Sequence, residues 1–182
     1  AAPVLGITLT KRRHNDAVEA PMCGVPHHAF DGYLGKLLDA GFRVAVAEQV
    51  EDPATTKGLV RREIIRTHTP GTVSSTDLLD GTEHCYLAAF GGVDGSFALA
   101  WLEVSTGTFE GLRCEEPTTV SEQIARLRPR EILVAEGWDG WTELWPRELP
   151  PPTVTPLPPE QFSPSAGEGR LRRVLGVGSL RG

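Results

Sequence analysis

Hydrophobic residues fall in two different rhythms along the chain. From Phe30 the apolar positions Phe30, Tyr33, Leu34, Leu37 and Leu38 recur at i, i+3, i+4, i+7 and i+8, which predicts a helix over roughly Ala29–Ala40 with one buried stripe. Gly41 is placed to stop it. Elsewhere the period is two or the runs are short. Leu5–Thr10 alternates Leu5, Ile7 and Leu9 with smaller residues and predicts a strand. Phe42–Val50 predicts a strand with Val44, Val46, Ala45 and Ala47 suited to burial on both faces, ended by Glu51-Asp52-Pro53. Arg61–His68 predicts another, centred on Ile64 and Ile65 and ended by Thr69-Pro70-Gly71-Thr72. These elements make a first αβ domain over residues 1–72, and residues 73–83 read as a linker with an apolar anchor at Leu78-Leu79.

The second part, residues 84–182, opens with three strand patterns: Cys85–Phe90, Phe97–Val104 and Thr108–Arg113. The glycine-bearing joints Gly91–Gly95 and Ser105–Gly107 are short, so an antiparallel meander is predicted. A helix over about Thr119–Leu127 and a strand over Arg130–Ala135 follow, and the crossover allows parallel pairing. Pro146–Pro164 holds eight of the fifteen prolines and reads as an extended surface segment. Gly169–Val177 predicts a short basic helix. The fold class is therefore α/β, or more broadly α+β.

Charge changes the picture only when divided by position. The net −6 splits into +1 over residues 1–70, with nine Lys/Arg against eight Asp/Glu, and −7 over residues 71–182, with nine against sixteen. The positive charge of the first part is bunched at Lys11-Arg12-Arg13 and at Arg61-Arg62 with Arg66. Bunching matters because phosphate attraction acts within about 8–10 Å at physiological salt. The same clusters also fit an ordinary solvated surface. Three widely spaced cysteines, Cys23, Cys85 and Cys114, argue against a disulfide framework and fit a reducing cytoplasm. No apolar run reaches the roughly 18–20 residues that span a bilayer. The first residue is not methionine, and both ends read as cut from a longer chain.

Candidate catalytic and metal-binding groups are few. Glu48, Glu51 and Asp52 are close in sequence and would suit Mg²⁺, but Glu51-Asp52-Pro53 is equally a strand-ending turn. Asp94, Glu103 and Glu110 fall around the meander, where an RNase H-like metal nuclease would carry acids. Cys23, His27 and His28 lack a fourth zinc ligand. The chain has no Gly-x-x-x-x-Gly-Lys-Ser/Thr phosphate loop and no Ser/His/Asp or Cys/His nucleophile pattern. What remains is the loop Pro21–Pro26, just before a helix start, whose free N–H groups favour an anion.

The words of that loop are distinctive. Pro21-Met22-Cys23-Gly24-Val25-Pro26-His27-His28-Ala29 resembles the loop "PMxG(I/V)PxxA" of MutS mismatch-recognition proteins. Gly32–Leu37 follows at the expected spacing, then Gly41–Pro53 like "G-x-x-V-A-(I/V)-x-(E/D)-Q". Lys57–Arg66 with Thr69–Thr72 is similar to "V-x-R-x-(V/I)-x-R…TPGT", Cys85–Ala89 to "(N/D)-Y-L-A-A", and Leu102–Phe109 to "(L/I)-D-(V/I)-S-T-G-x-F". The motifs run in order over residues 5–110, and past about residue 136 only the architecture is alike. Ala47 stands where many relatives carry cysteine.

The resemblance implies a small mixed-sheet mismatch-binding domain over residues 1–72, without its start, and an RNase H-like connector domain over 84–182. It implies binding to double-stranded DNA with mismatches or small loops, a homodimer, a MutL-type partner and a cytoplasmic setting. It implies no catalytic residue and no metal in this chain, with ATP and Mg²⁺ bound elsewhere in the parent protein. By matching positions, the DNA-contacting residues would be Lys11, Arg12, Pro21, Met22, Gly24, Val25, Pro26 and Arg62. These are backbone-positioning contacts. The family's Phe-x-Glu wedge is expected before the Leu5–Thr10 strand, and no residue here matches it; Phe30 and Phe42 are accounted for by packing. Two other classes stay open: the metal nuclease, and a module serving protein interaction alone.

Overall fold

The computed structural model describes residues 1–15, 18–52, 58–73, 84–93 and 95–180. The expected linker 73–83, with Leu78-Leu79, lies outside these residues apart from Val73, and so do Asp94 and Lys57. The chain divides into two compact units, 1–84 and 85–182, described separately below.

The first unit opens with a surprise. Ala2–Leu5 is a single helical turn, α1, with Pro3 in its first positions and Gly6 closing it at φ 65°. The predicted strand Leu5–Thr10 is not formed; strand β1 is Thr10–Asn15 instead. Proline at a helix start and a left-handed glycine at its end outweigh a three-residue alternation. Of the alternating residues, Leu5 is buried and Leu9 is exposed. Strand β2, Val18–Met22, pairs antiparallel with β1. Pro21 and Met22 therefore end a strand and do not lie within the loop that the sequence suggested.

Helix α2, Phe30–Asp39, forms where its stripe predicted, with Leu34 and Leu38 buried. Gly41, at φ 81°, closes it: Gly41 N–H donates to Leu38 O at 2.9 Å and Phe42 N–H to Leu37 O at 2.9 Å. Only a residue tolerant of positive φ completes this pair of bonds. Strands β3, Val44–Gln49, and β4, Arg62–His68, pair antiparallel with an irregularity after Val46. The expectation of burial on both faces fails. Val44 and Val46 are half-buried, Ala45 and Ala47 are exposed, Phe42 is 46% exposed and Ile64 67%. Among the described residues the first unit thus holds two separate antiparallel pairs, β1-β2 and β3-β4.

Mixed pairing belongs to the second unit. Strands β5 (Tyr86–Val93), β6 (Ser96–Glu103) and β7 (Thr108–Cys114) form the predicted meander. Helix α3, Pro117–Leu127, starts two residues earlier than its apolar pattern suggested because Pro117 suits the first turn. It crosses to strand β8, Glu131–Ala135, which pairs parallel with β5. The proline-rich stretch is not purely extended surface. It follows a short helix α4, Trp141–Leu144, and contains strand β9, Thr153–Leu157, parallel to β8. Pro156 is tolerated because β9 is an edge. The order is β7-β6-β5-β8-β9. Helix α5, Pro164–Leu175, replaces the shorter predicted helix and is closed by Gly176 at φ 67°.

One face of this sheet carries the core. Ala88 and Phe90 of β5, Leu99 and Trp101 of β6, and Ile132 and Val134 of β8 point the same way and pack with Val120, Ile124 and Leu127 of α3. Truncating a fully buried branched side chain leaves a cavity. Ile124→Ala is expected to cost about 2–5 kcal/mol in chemical denaturation of this chain, whereas Ile64→Ala, on the exposed β4 face, is expected to change stability by less than about 0.5 kcal/mol. Equal effects of the two would refute the division into a packed sheet and a lightly covered hairpin.

Candidate nucleic-acid interface

Strand pairing brings part of the expected contact set together. Lys11 on β1 sits directly opposite Pro21 on β2, and Thr10 opposite Met22. Thr10 Oγ1 donates to Met22 O at 2.8 Å and fixes the end of the hairpin from which the loop departs. Lys11 and Pro21 are exposed, Met22 is 43% exposed, and Gly24, Val25 and Pro26 are exposed. A methionine and a valine left at the surface together are apolar groups without a core to serve. At Gly24 an added Cβ would meet nothing within 4 Å, so that position is open to an approaching ligand. Pro26 then leads into a short turn, His27–Ala29, tied by Ala29 N–H to Pro26 O at 3.0 Å, and so into α2. Arg12 lies on β1 opposite Ala20, and its side chain is outside what the structure describes.

Arg62 is on β4, in the other pair of strands, opposite Gln49. Its neighbour is already committed. The Arg61 guanidinium is 2.6 Å from Glu63, and the Arg61 N–H donates to Glu51 Oε2 at 3.1 Å. Of the two adjacent arginines, Arg62 is the one whose charge, among the described residues, is not spent on an ion pair. At the far end of β4, His68 is half-buried. Burial, and secondarily the Arg66 charge, hold its pKa below the ordinary value, with Asp31 opposing.

The candidate metal and nuclease groups resolve differently. Glu51 accepts a backbone N–H at the mouth of the β3-β4 pair, and no group of three or more His, Cys, Asp or Glu among the described residues gathers as a cation site. Glu103 is only 3% exposed, on the core face of β6. Its two oxygens accept Cys85 N–H at 3.3 Å, Ser105 N–H at 3.3 Å, Ser105 Oγ at 2.8 and 2.7 Å, and Thr106 N–H at 2.7 Å. The carboxylate is saturated by donors that hold the entry to β5 and the β6-β7 turn. Glu110 accepts Trp101 Nε1–H at 3.0 Å. These two acids work as structural acceptors, and Asp94 lies outside the described residues.

A two-unit α/β chain results, with an exposed hairpin loop and cationic strand residues in the first unit and a packed mixed sheet in the second. Two family descriptions match it: MutS domain I over residues 1–77 and MutS domain II over residues 85–182. The DNA mismatch repair protein MutS of Dinoroseobacter shibae is 45% identical over 185 residues, covering 99% of this chain and 21% of that protein. That of Cereibacter sphaeroides (strain ATCC 17025) is 44% identical over 185 residues, covering 99% and 20%. The chain belongs to the MutS family and carries its domains I and II. It spans about a fifth of the length of these relatives.

The Glu103 hydrogen bonds, Thr106 foremost, outweigh its burial and lower its pKa from 4.5 to about 2. A depressed folded-state pKa stabilises the fold fully above the unfolded value, and that contribution fades as pH falls from 4.5 toward about 2. Glu103→Gln keeps the shape but loses the charge-assisted bonds. It is expected to lower the stability of this chain by roughly 1–3 kcal/mol at pH 7 and to flatten the acid limb of the stability–pH curve. A variant as stable as the parent at pH 7, with the acid limb unchanged, would remove Glu103 from this role.

Proposed function

We propose that this chain is the DNA-contacting and connecting part of a mismatch repair protein and carries out no catalysis of its own. The observation that carries the reading is the ordered match of both units to MutS domains I and II. In this reading the first unit grips duplex DNA containing mismatches or small loops, through Lys11, Arg12, the Pro21–Pro26 segment and Arg62. The exposure of Lys11, Met22, Val25 and Arg62 supports that assignment. Contacts of this type neutralise phosphates and set position while remaining indifferent to flanking sequence. Discrimination then comes from the ease with which a weakly stacked site deforms.

The acidic second unit links the DNA-gripping unit to the rest of the parent protein, where ATP and Mg²⁺ are bound, and contributes to docking a MutL-type protein. The parent works as a homodimer in the cytoplasm. Three free cysteines fit that compartment, and among the described residues no helix is long and apolar enough to cross a membrane.

In the parent protein, Arg62→Ala is expected to weaken binding to matched and mismatched duplex equally, by about three- to tenfold. The slope of log K against log salt is expected to become shallower by about 0.9, the value for one phosphate contact. Band shifts at several salt concentrations measure both. Loss of mismatch preference alone, with the salt slope intact, would contradict a backbone contact. The isolated chain with Mg²⁺ is expected to leave DNA uncut; cleavage that disappears on Glu103→Gln or Glu110→Gln would instead make it a nuclease.

A further inference from the structure

Thr10 and Met22 form the last cross-strand pair of the first unit's hairpin, where β1 begins and β2 ends. Cys23–Pro26 then lie outside helix and strand until the His27–Ala29 turn. Both ends of this loop are tied. At its exit, Ala29 N–H donates to Pro26 O at 3.0 Å. At its entry the tie comes from a side chain, Thr10 Oγ1 donating to Met22 O at 2.8 Å. A carbonyl oxygen lies in its peptide plane, so this bond sets the Met22–Cys23 plane and the first direction of the loop. That peptide is trans, so Cys23 N–H points opposite to Met22 O and away from the Thr10 hydroxyl. Thr10 and Met22 are both exposed, so the bond serves no core. Its effect is local, since a lone exposed hydrogen bond adds little to global stability.

We propose that Thr10 is a positioning residue for DNA binding, whose hydroxyl presets the Met22–Cys23 peptide so that the loop meets the duplex already ordered. The inference rests on the DNA-contacting reading of Lys11 and the Pro21–Pro26 segment, and adds to it a residue that acts through the loop. A loop held in its bound direction spares the cost of ordering it during binding, and the saving appears as affinity. The same strand end also presents a cation, because Lys11 follows Thr10 directly, is exposed and sits opposite Pro21. The geometry demands the hydroxyl and not merely a residue that favours strands. Valine matches threonine in shape and β-branching but lacks the hydroxyl, whereas serine keeps the hydroxyl and loses the branch. The two substitutions therefore separate the hydrogen bond from strand propensity.

Met22 is the chain's single methionine, so a methyl-13C-methionine label gives one NMR signal, and it reports on the loop. In this chain without DNA, Thr10→Val is expected to move and narrow that signal as the loop loosens, and Thr10→Ser to leave it in place. Circular dichroism and unfolding temperature are expected to match the unsubstituted chain in both. In the parent protein, Thr10→Val is expected to weaken binding to matched and G·T-mismatched duplex by about three- to tenfold, and Thr10→Ser by less than about twofold. The slope of log K against log salt is expected to stay unchanged, because no cation is removed. A Met22 signal unmoved by Thr10→Val, a shallower salt slope, a lowered unfolding temperature, or equal losses in the valine and serine variants would each overturn the proposal. Binding intact in Thr10→Val but weakened in Arg62→Ala would overturn it and leave the DNA-contacting reading standing. Binding intact in both would remove that reading, and this proposal with it.

Discussion

Strand β5 is shared by two kinds of pairing, antiparallel to β6 and parallel to β8, and the second unit is organised around that fact. A strand in this position must satisfy neighbours on both edges while burying one face, so Ala88 and Phe90 have no freedom to shift register. Its entry is fixed from outside. Glu103, at the end of β6, accepts the Cys85 N–H while its other bonds hold the turn to β7. The saturated carboxylate thereby couples the first residue of the unit to the third strand of the meander. An acid that a nuclease would need free for a cation is instead consumed by backbone donors.

The first unit is built on a different balance. Leu34 and Leu38 anchor α2, but Ile64, Phe42 and Leu59 remain exposed around the β3-β4 pair. Two-stranded pairs gain little from cross-strand contacts alone. The hairpin that carries Lys11, Pro21 and Met22 is held by its own ladder and by the Thr10–Met22 bond. In the proposed DNA-contacting role, such an element can adapt to its ligand, because binding can supply the contacts that the isolated unit lacks.

Much of this was legible from residue order. The i, i+3, i+4 spacing of Phe30 to Leu38 located α2, and the glycine joints of the meander located β5 to β7, because both signals are local. The motif nominated Lys11 and Pro21 as candidate contacts, and the structure adds that they are cross-strand neighbours. The failures are equally physical. Leu5, Ile7 and Leu9 alternate as a strand does, yet Pro3 and Gly6 bracket a helical turn. The prolines around Thr153–Leu157 concealed an edge strand, because an edge needs only one ladder of hydrogen bonds. Nothing in a single sequence marks Thr10 and Met22 as a hydrogen-bonded pair, since strand register brings them together.

By itself, the sequence determined the family, the period of each long element and the bunching of positive charge in the first 70 residues, because these depend on residues near one another along the chain. Tertiary structure decided which charges are spent. Among the described residues Arg61 is ion-paired and Arg62 is not, and Glu103 is saturated by donors outside its own strand, outcomes that depend on how the backbone places each partner. It also decided which face of the second sheet is filled by α3, a matter of register and crossover that no local pattern encodes.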